Sequence, residues 1–218
     1  MKVDVIIPAF NEAKHIKDTL ESINRLSWVN EIIVVDDGSC DETYSIAKLY
    51  CTKVLQHKHN KGKMTAVFTG LSYVRGEWIM ILDADLGSTA CEAQKLLPAI
   101  QNNVADMTVA IFPEFSKKGF GIVKRRVRNV ILRKTGKRLL APLSGQRCFH
   151  RRWIPFIVNE KGYGFGLEML MNIVFLNNGA VIKEIQTNMN HRLTGKNMEG
   201  FYHRAKQWLE MEKTLWNH

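Results

Sequence analysis

Trp78-Ile79-Met80-Ile81-Leu82-Asp83-Ala84-Asp85 sets five large apolar residues directly against two carboxylates. An apolar run without polar alternation predicts a strand buried on both faces, as in a parallel sheet. Asp83 and Asp85 then fall at its carboxyl end, the edge outside which open α/β sheets bind ligands. Two acids this close repel each other unless a cation joins them, and carboxylates suit hard divalent ions such as Mg²⁺ or Mn²⁺. A surface turn in which one aspartate caps the next helix is the plainer alternative. The pattern upstream argues against it.

Val3 to Pro8 is a β-branched strand ended by proline. Asn11 is placed to cap a helix reaching about Arg25, with Glu12 in its positive first turn and Ile16, Leu20 and Ile23 on its apolar face. Glu31 to Val35 is a second strand, and it too ends in acids, Asp36-Asp37-Gly38-Ser39. Carboxylates there can accept from a ribose hydroxyl or a base N–H, or can cap the helix opened by Asp41 and Glu42. Lys53 to Gln56 is a third strand. The basic loop His57 to Lys63 then precedes a helix from Met64 to Val74, a setting that suits a phosphate, although a solvated basic loop would look the same. Strands alternate with helices, which predicts a mainly parallel, doubly wound α/β sheet with helices on both faces.

The 218 residues fit one domain, with 45% hydrophobic content for its core. No apolar run approaches the ~20 residues of a membrane span, and the strand pattern at the amino end leaves no room for a signal peptide. Cys40, Cys51, Cys91 and Cys148 lack metal-type spacing and read as reduced thiols, so a cytoplasmic location is expected. The net charge of +10 implies an anionic partner. Nothing resembles a nucleic-acid module.

Further along, Thr89 to Asn102 reads as a helix and Met107 to Ile111 as a strand. Residues 117–138 hold ten lysines and arginines and no acid. Within them Phe120, Val123, Val127 and Ile131 recur at helical spacing beside Lys124, Arg125, Arg128 and Arg133. Such a helix either packs its apolar stripe on the domain or lies in an anionic membrane interface. Ser144, Gln146 and Arg147 offer donors to an anionic or hydroxylated acceptor, and Gly145 permits close backbone approach. Gly162 to Glu168 is a glycine-rich loop entering an apolar helix, Met169 to Leu176. Glu168 is there a helix-end charge, or else a base or acceptor for a sugar hydroxyl. Val181 to Ile185 is a strand. His191 and Arg192 open a basic loop with a metal-ligand candidate, and an amphipathic helix spans Phe201 to Trp216.

Pro-Ala-Phe-Asn-Glu, Val-Val-Asp-Asp-Gly-Ser, Asn-Lys-Gly-Lys and Leu-Asp-Ala-Asp-Leu, in this order over the first 110 or so residues, resemble family 2 glycosyltransferases of the GT-A fold. The resemblance implies a nucleoside-diphosphate sugar donor, a divalent cation and a single domain over 1–218. Residues 1–110 would bind the donor and 111–218 the acceptor. It places Pro8, Ala9, Asn11 and Glu12 around the nucleoside, Asp37 on the base or ribose, and Lys63 near the nucleotide. Asp83 and Asp85 would face the ribose and the metal-diphosphate, with Asp85 the more direct ligand. In the family's neighbours a late histidine completes the metal site, a role for His191, and Arg192 can meet the diphosphate. The second-half motifs are similar to two groups. One is polyprenyl-phosphate enzymes, membrane-associated and inverting; the other is glucosyl-3-phosphoglycerate synthases, soluble and retaining. The expected acceptor is therefore phosphorylated, with a lipid phosphate implying a peripheral position on the inner face of the cell membrane. A nucleotide-sugar-binding module without activity, and a homodimer, remain open alternatives.

Overall fold

The structure is a computed structural model describing residues 1–51, 53–113, 121–160 and 166–191, with backbone only for 121–124. Phe120, Val123, the loop 161–165, Arg192 and the expected terminal helix with Phe201, Trp208, Leu209 and Leu215 lie outside the described residues or side chains.

Seven strands form one sheet: β1 (Val3–Ala9), β2 (Val29–Asp36), β3 (Lys53–Gln56), β4 (Trp78–Ile81), β5 (Met107–Ile111), β6 (Arg147–His150) and β7 (Ile182–Gln186), in the order β3-β2-β1-β4-β6-β5-β7. β1 pairs in parallel with β2 and β4, β2 with β3, and β5 with β7. β6, for which the sequence reading offered no strand expectation, runs antiparallel between β4 and β5. The mainly parallel α/β expectation holds, and the one reversed strand has a consequence for the site. Its first residue, Arg147, pairs with Ile81 at the end of β4. The turn before β6 is thereby brought to the same sheet edge as the acids after β4.

Helices α1 (Ile16–Asn24), α2 (Thr43–Tyr50), α3 (Lys63–Leu71), α4 (Leu97–Gln101), α5 (Gly121–Thr135), α6 (Ile154–Asn159) and α7 (Leu167–Asn177) cover the sheet. All of β1 is buried, and its side chains alternate between two cores. Val3, Val5 and Ile7 join Ile16, Leu20 and Ile23 of α1, while Ile6 joins Ala66, Val67 and Leu71 of α3 and Met171 of α7. This two-sided burial is why β1 and β4 are mostly apolar, whereas β3 and β7 at the two edges of the sheet carry polar residues. Thr89 to Asn102, expected as one helix, is a 3₁₀ segment (Gly87–Leu96) running into the short α4, with Pro98 in the first turn of α4.

One local expectation is corrected, and at two positions of α5 the packing alternative is the one observed. Asn11 does not cap α1, which starts at Ile16; it has φ 56° and its side-chain oxygen accepts from Cys40 N at 2.9 Å. Val127 and Ile131 of α5, possible membrane-facing residues, are buried with Leu139 against Met169 and Ile173 of α7. The basic helix uses these apolar positions for packing. Arg128, expected among headgroups, donates to the Leu140 carbonyl.

Candidate active site

The loops that follow β1 and β2 are stitched edge to edge. Asn11 N donates to Ser39 Oγ at 2.9 Å, Glu12 N to Thr43 Oγ1 at 2.8 Å, and Ala13 N to Asp41 Oδ2 at 3.1 Å. Pro8 and Ala9, expected around the nucleoside, are buried strand residues at the end of β1. Glu12 pairs with His15 at 3.0 Å. Burial, followed by the nearby Asp85 and Asp83, raises its carboxyl above the usual range despite His15.

Asp37 is turned inward. Its oxygens accept from Lys61 N (3.0 Å) and Gly62 N (2.7 Å), and one meets His57 Nδ1 at 2.6 Å. His57 reaches Thr69 with its other nitrogen, at 2.9 Å. The acid expected on the base or ribose therefore also shapes the basic loop leading into α3. Gly38 permits that loop to pass: its φ is 77°, and a Cβ there would lie 2.5 Å from the His59 backbone.

α3 begins at Lys63, whose Nζ lies 2.7 Å from Asp83 Oδ1 and 2.9 Å from Glu168 Oε1. Burial would lower this ammonium's pKa, but the two carboxylates outweigh it and raise it. Burial likewise pushes Asp83 and Glu168 up, and the Lys63 charge overcomes it and holds both below the ordinary carboxylate range. Beyond β7 the chain returns to the same edge, where His191 Nδ1 meets Asp85 Oδ1 at 2.9 Å. Burial acts to lower His191, but the Asp85 hydrogen bond and the charges of Asp83 and Asp85 leave it raised. Asp83, Asp85 and His191 each present a ligand atom within 4.8 Å of the others. Two carboxylates and an imidazole fit the Mg²⁺ or Mn²⁺ expected from the sequence.

The second-half donors are placed differently from the expectation. Arg147 is 1% exposed and spends its guanidinium inside the protein, on Ser144 O (2.9 Å), Pro142 O (3.2 Å) and Asn172 Oδ1 (2.6 Å). Burial lowers its pKa to about 10. Gln146 is wholly buried and donates to Asp83 Oδ2 at 2.6 Å, while Ser144 Oγ donates to Gln146 Oε1 at 3.1 Å. These side chains support the acids; they do not open toward an acceptor. Glu168, in the first turn of α7, joins the cluster through Lys63. Sequence reasoning missed His57 and Asn172. His57 was legible only as part of a basic loop, and Asn172 had a signal, an amide in the middle of an otherwise apolar helix.

The profile described as "Glycosyl transferase family 2" matches residues 4–162. A dolichol-phosphate mannosyltransferase of Pyrococcus furiosus is 35% identical over 125 residues, covering 55% of this chain and 35% of that protein. A dolichyl-phosphate beta-glucosyltransferase of Mus musculus is 34% identical over 111 residues, covering 44% and 34%. The chain thus spans about a third of the length of these curated relatives. Glucosyl-3-phosphoglycerate synthase from Mycobacterium tuberculosis, solved with Mn²⁺, UDP-glucose and phosphoglyceric acid, superposes with a TM-score of 0.76 at 22% identity, over 98% of this chain and 79% of that one. At that identity the likeness establishes the fold.

Proposed function

This chain belongs to glycosyl transferase family 2, and we propose that it transfers a sugar from a nucleoside-diphosphate donor to a phosphorylated acceptor, with Mg²⁺ or Mn²⁺. The observation that carries this reading is the convergence of Asp83, Asp85 and His191 within 4.8 Å, beside the paired Lys63 and Glu168. A cation held there supplies Lewis-acid neutralisation of the diphosphate as it leaves. The chain's own residues do the rest. The stitched loops after β1 and β2 receive the nucleoside. Lys63 adds a fixed positive charge close to the leaving group, where developing charge is stabilised without reorganisation. Glu168, ionised and anchored by Lys63, accepts from a hydroxyl of the sugar and so orients it.

An acceptor phosphate is already ionised at neutral pH and needs no base. A carboxylate held below its usual range is a weak base, which favours a phosphate nucleophile over a sugar hydroxyl. The named relatives act with dolichyl or dolichol phosphate, so a polyprenyl phosphate is the first acceptor to test. That reading has the chain working at a membrane surface; no described helix is long and apolar enough to cross one. A small acceptor such as 3-phosphoglycerate is the second reading. It is favoured by the burial of Val127 and Ile131, which takes from α5 two of the apolar residues a membrane interface would have used.

Titration calorimetry with UDP and GDP, in Mn²⁺ and again in excess chelator, tests the donor site. One nucleotide should bind tightly with Mn²⁺ and much more weakly in chelator. Equal binding in both, or none in either, would overturn the proposal. Product formation from the matching nucleotide sugar with polyprenyl phosphate or 3-phosphoglycerate then separates the acceptors.

A further inference from the structure

We infer that Gln146 is a positioning residue for Asp83, locked in place by a turn that Arg147 and Asn172 pin to α7. The inference rests on the reading that Asp83, Asp85 and His191 hold a divalent cation with the donor. The reversed strand β6 brings residues 142–146 to the carboxyl edge of β4, with Arg147 opposite Ile81. There Arg147 ties the Pro142 and Ser144 carbonyls, and Asn172 Nδ2 donates to the same Pro142 carbonyl at 2.8 Å. The turn is therefore fixed to a buried helix at several points.

Two residues of this turn press on the acid. A Cβ at Gly145 would lie 2.6 Å from Lys63 Nζ and 2.9 Å from both Asp83 oxygens, so any side chain there would displace the lysine tip and the carboxylate from their present places. Gln146 then gives its amide N–H to Asp83 Oδ2, while Lys63 holds Oδ1. A carboxylate only accepts, so the amide must turn its NH₂ end to Asp83; its oxygen takes the Ser144 hydroxyl on the other side. With both oxygens held by donors from different elements, the plane of the Asp83 carboxylate is set before any ligand arrives. Held this way, Asp83 keeps Oδ2 3.9 Å from His191 Nε2 and a ligand atom within 4.8 Å of those of Asp85 and His191. Groups that orient a metal-binding carboxylate typically change metal affinity by roughly 10–100-fold when removed.

A buried amide that merely satisfies its own hydrogen bonds would leave metal binding alone, and this difference is measurable. Mn²⁺ uptake in the presence of UDP is read by electron paramagnetic resonance for wild type, Gln146→Leu and Gln146→Asn, with thermal melts run alongside. Asparagine keeps the amide but is one methylene too short to reach Asp83, so it decides the matter if leucine prevents folding. Both variants should bind Mn²⁺ about 10–100-fold more weakly, and the bound-ion line shape should change. A folded variant with wild-type affinity and line shape would overturn the inference alone. Wild type that takes up no Mn²⁺ with UDP would overturn the functional reading as well.

Discussion

The Lys63 ammonium lies 2.7 Å from a carboxylate oxygen of Asp83 and, with its other face, 2.9 Å from Glu168. One cation at the start of α3 thereby joins the loop after β4 to the first turn of α7, a residue 105 positions further along the chain. The first-half and second-half elements of the site are held together by this charge.

Its contribution to stability should depend on pH. Burial pushes Asp83 and Glu168 up, yet Lys63 leaves both below their ordinary values of 3.8 and 4.5. Carboxyls depressed on folding add stability that is complete above those values and is lost as pH falls through the folded pKa. Chemical denaturation without metal should therefore show Lys63→Met less stable than wild type at pH 7. The gap should narrow as pH falls below about 4.5 and on through the depressed folded values. A gap that stays constant over that range would contradict the assignment.

Glu168→Gln separates the acceptor classes. If Glu168 were a general base toward a hydroxyl, its loss would cost on the order of 10²–10⁴-fold in rate. With a phosphate acceptor we expect kcat to fall far less and the donor KM to rise, because a sugar contact is weakened. Initial-rate kinetics on each acceptor distinguish the two.

Much of the first half was legible in the sequence, because strands buried on both faces are written mostly in apolar residues. Trp78 to Leu82 marked β4, and the positions of Asp83 and Asp85 followed from where that run stops. β3 and β5 were read with the bounds they have. The second half was harder. β6 is short, begins with a buried arginine and is reversed by its neighbours, and nothing local in Arg147 to His150 encodes that direction. Ser144, Gln146 and Arg147 were read as donors to an acceptor, but sequence does not say whether a donor faces solvent or a neighbouring group; here they donate to Gln146, Asp83, Asn172 and backbone carbonyls. Asn11 looked like a helix cap because asparagine before an acidic turn commonly is one, whereas its left-handed backbone delays α1 to Ile16.

Arg147→Met should destabilise the fold by roughly 2–4 kcal/mol, since it leaves the Ser144 carbonyl and Asn172 Oδ1 buried without their charged donor. Urea denaturation measures this. A neutral substitution would mean that the turn 142–146 is held by other contacts.

Ile131→Ala should cost about 2–5 kcal/mol, as expected for a large side chain buried against Met169 and Ile173. Flotation with anionic liposomes, if wild type shows it, should survive this substitution and weaken with salt, because the exposed Arg125 side of α5 would carry the attraction. Flotation lost in Ile131→Ala while the protein stays folded would return that residue to the membrane interface.

The most direct measurement is release of nucleoside diphosphate from a panel of nucleotide sugars by wild type and Asp85→Asn, each with Mn²⁺ and with excess chelator. Wild type should turn over at least one nucleotide sugar in Mn²⁺ and none in chelator. Asp85→Asn, folded by circular dichroism, should be inactive in both. Equal turnover by wild type in chelator, or full activity of Asp85→Asn, would contradict the assignment of this cluster as a metal-dependent sugar-transfer site.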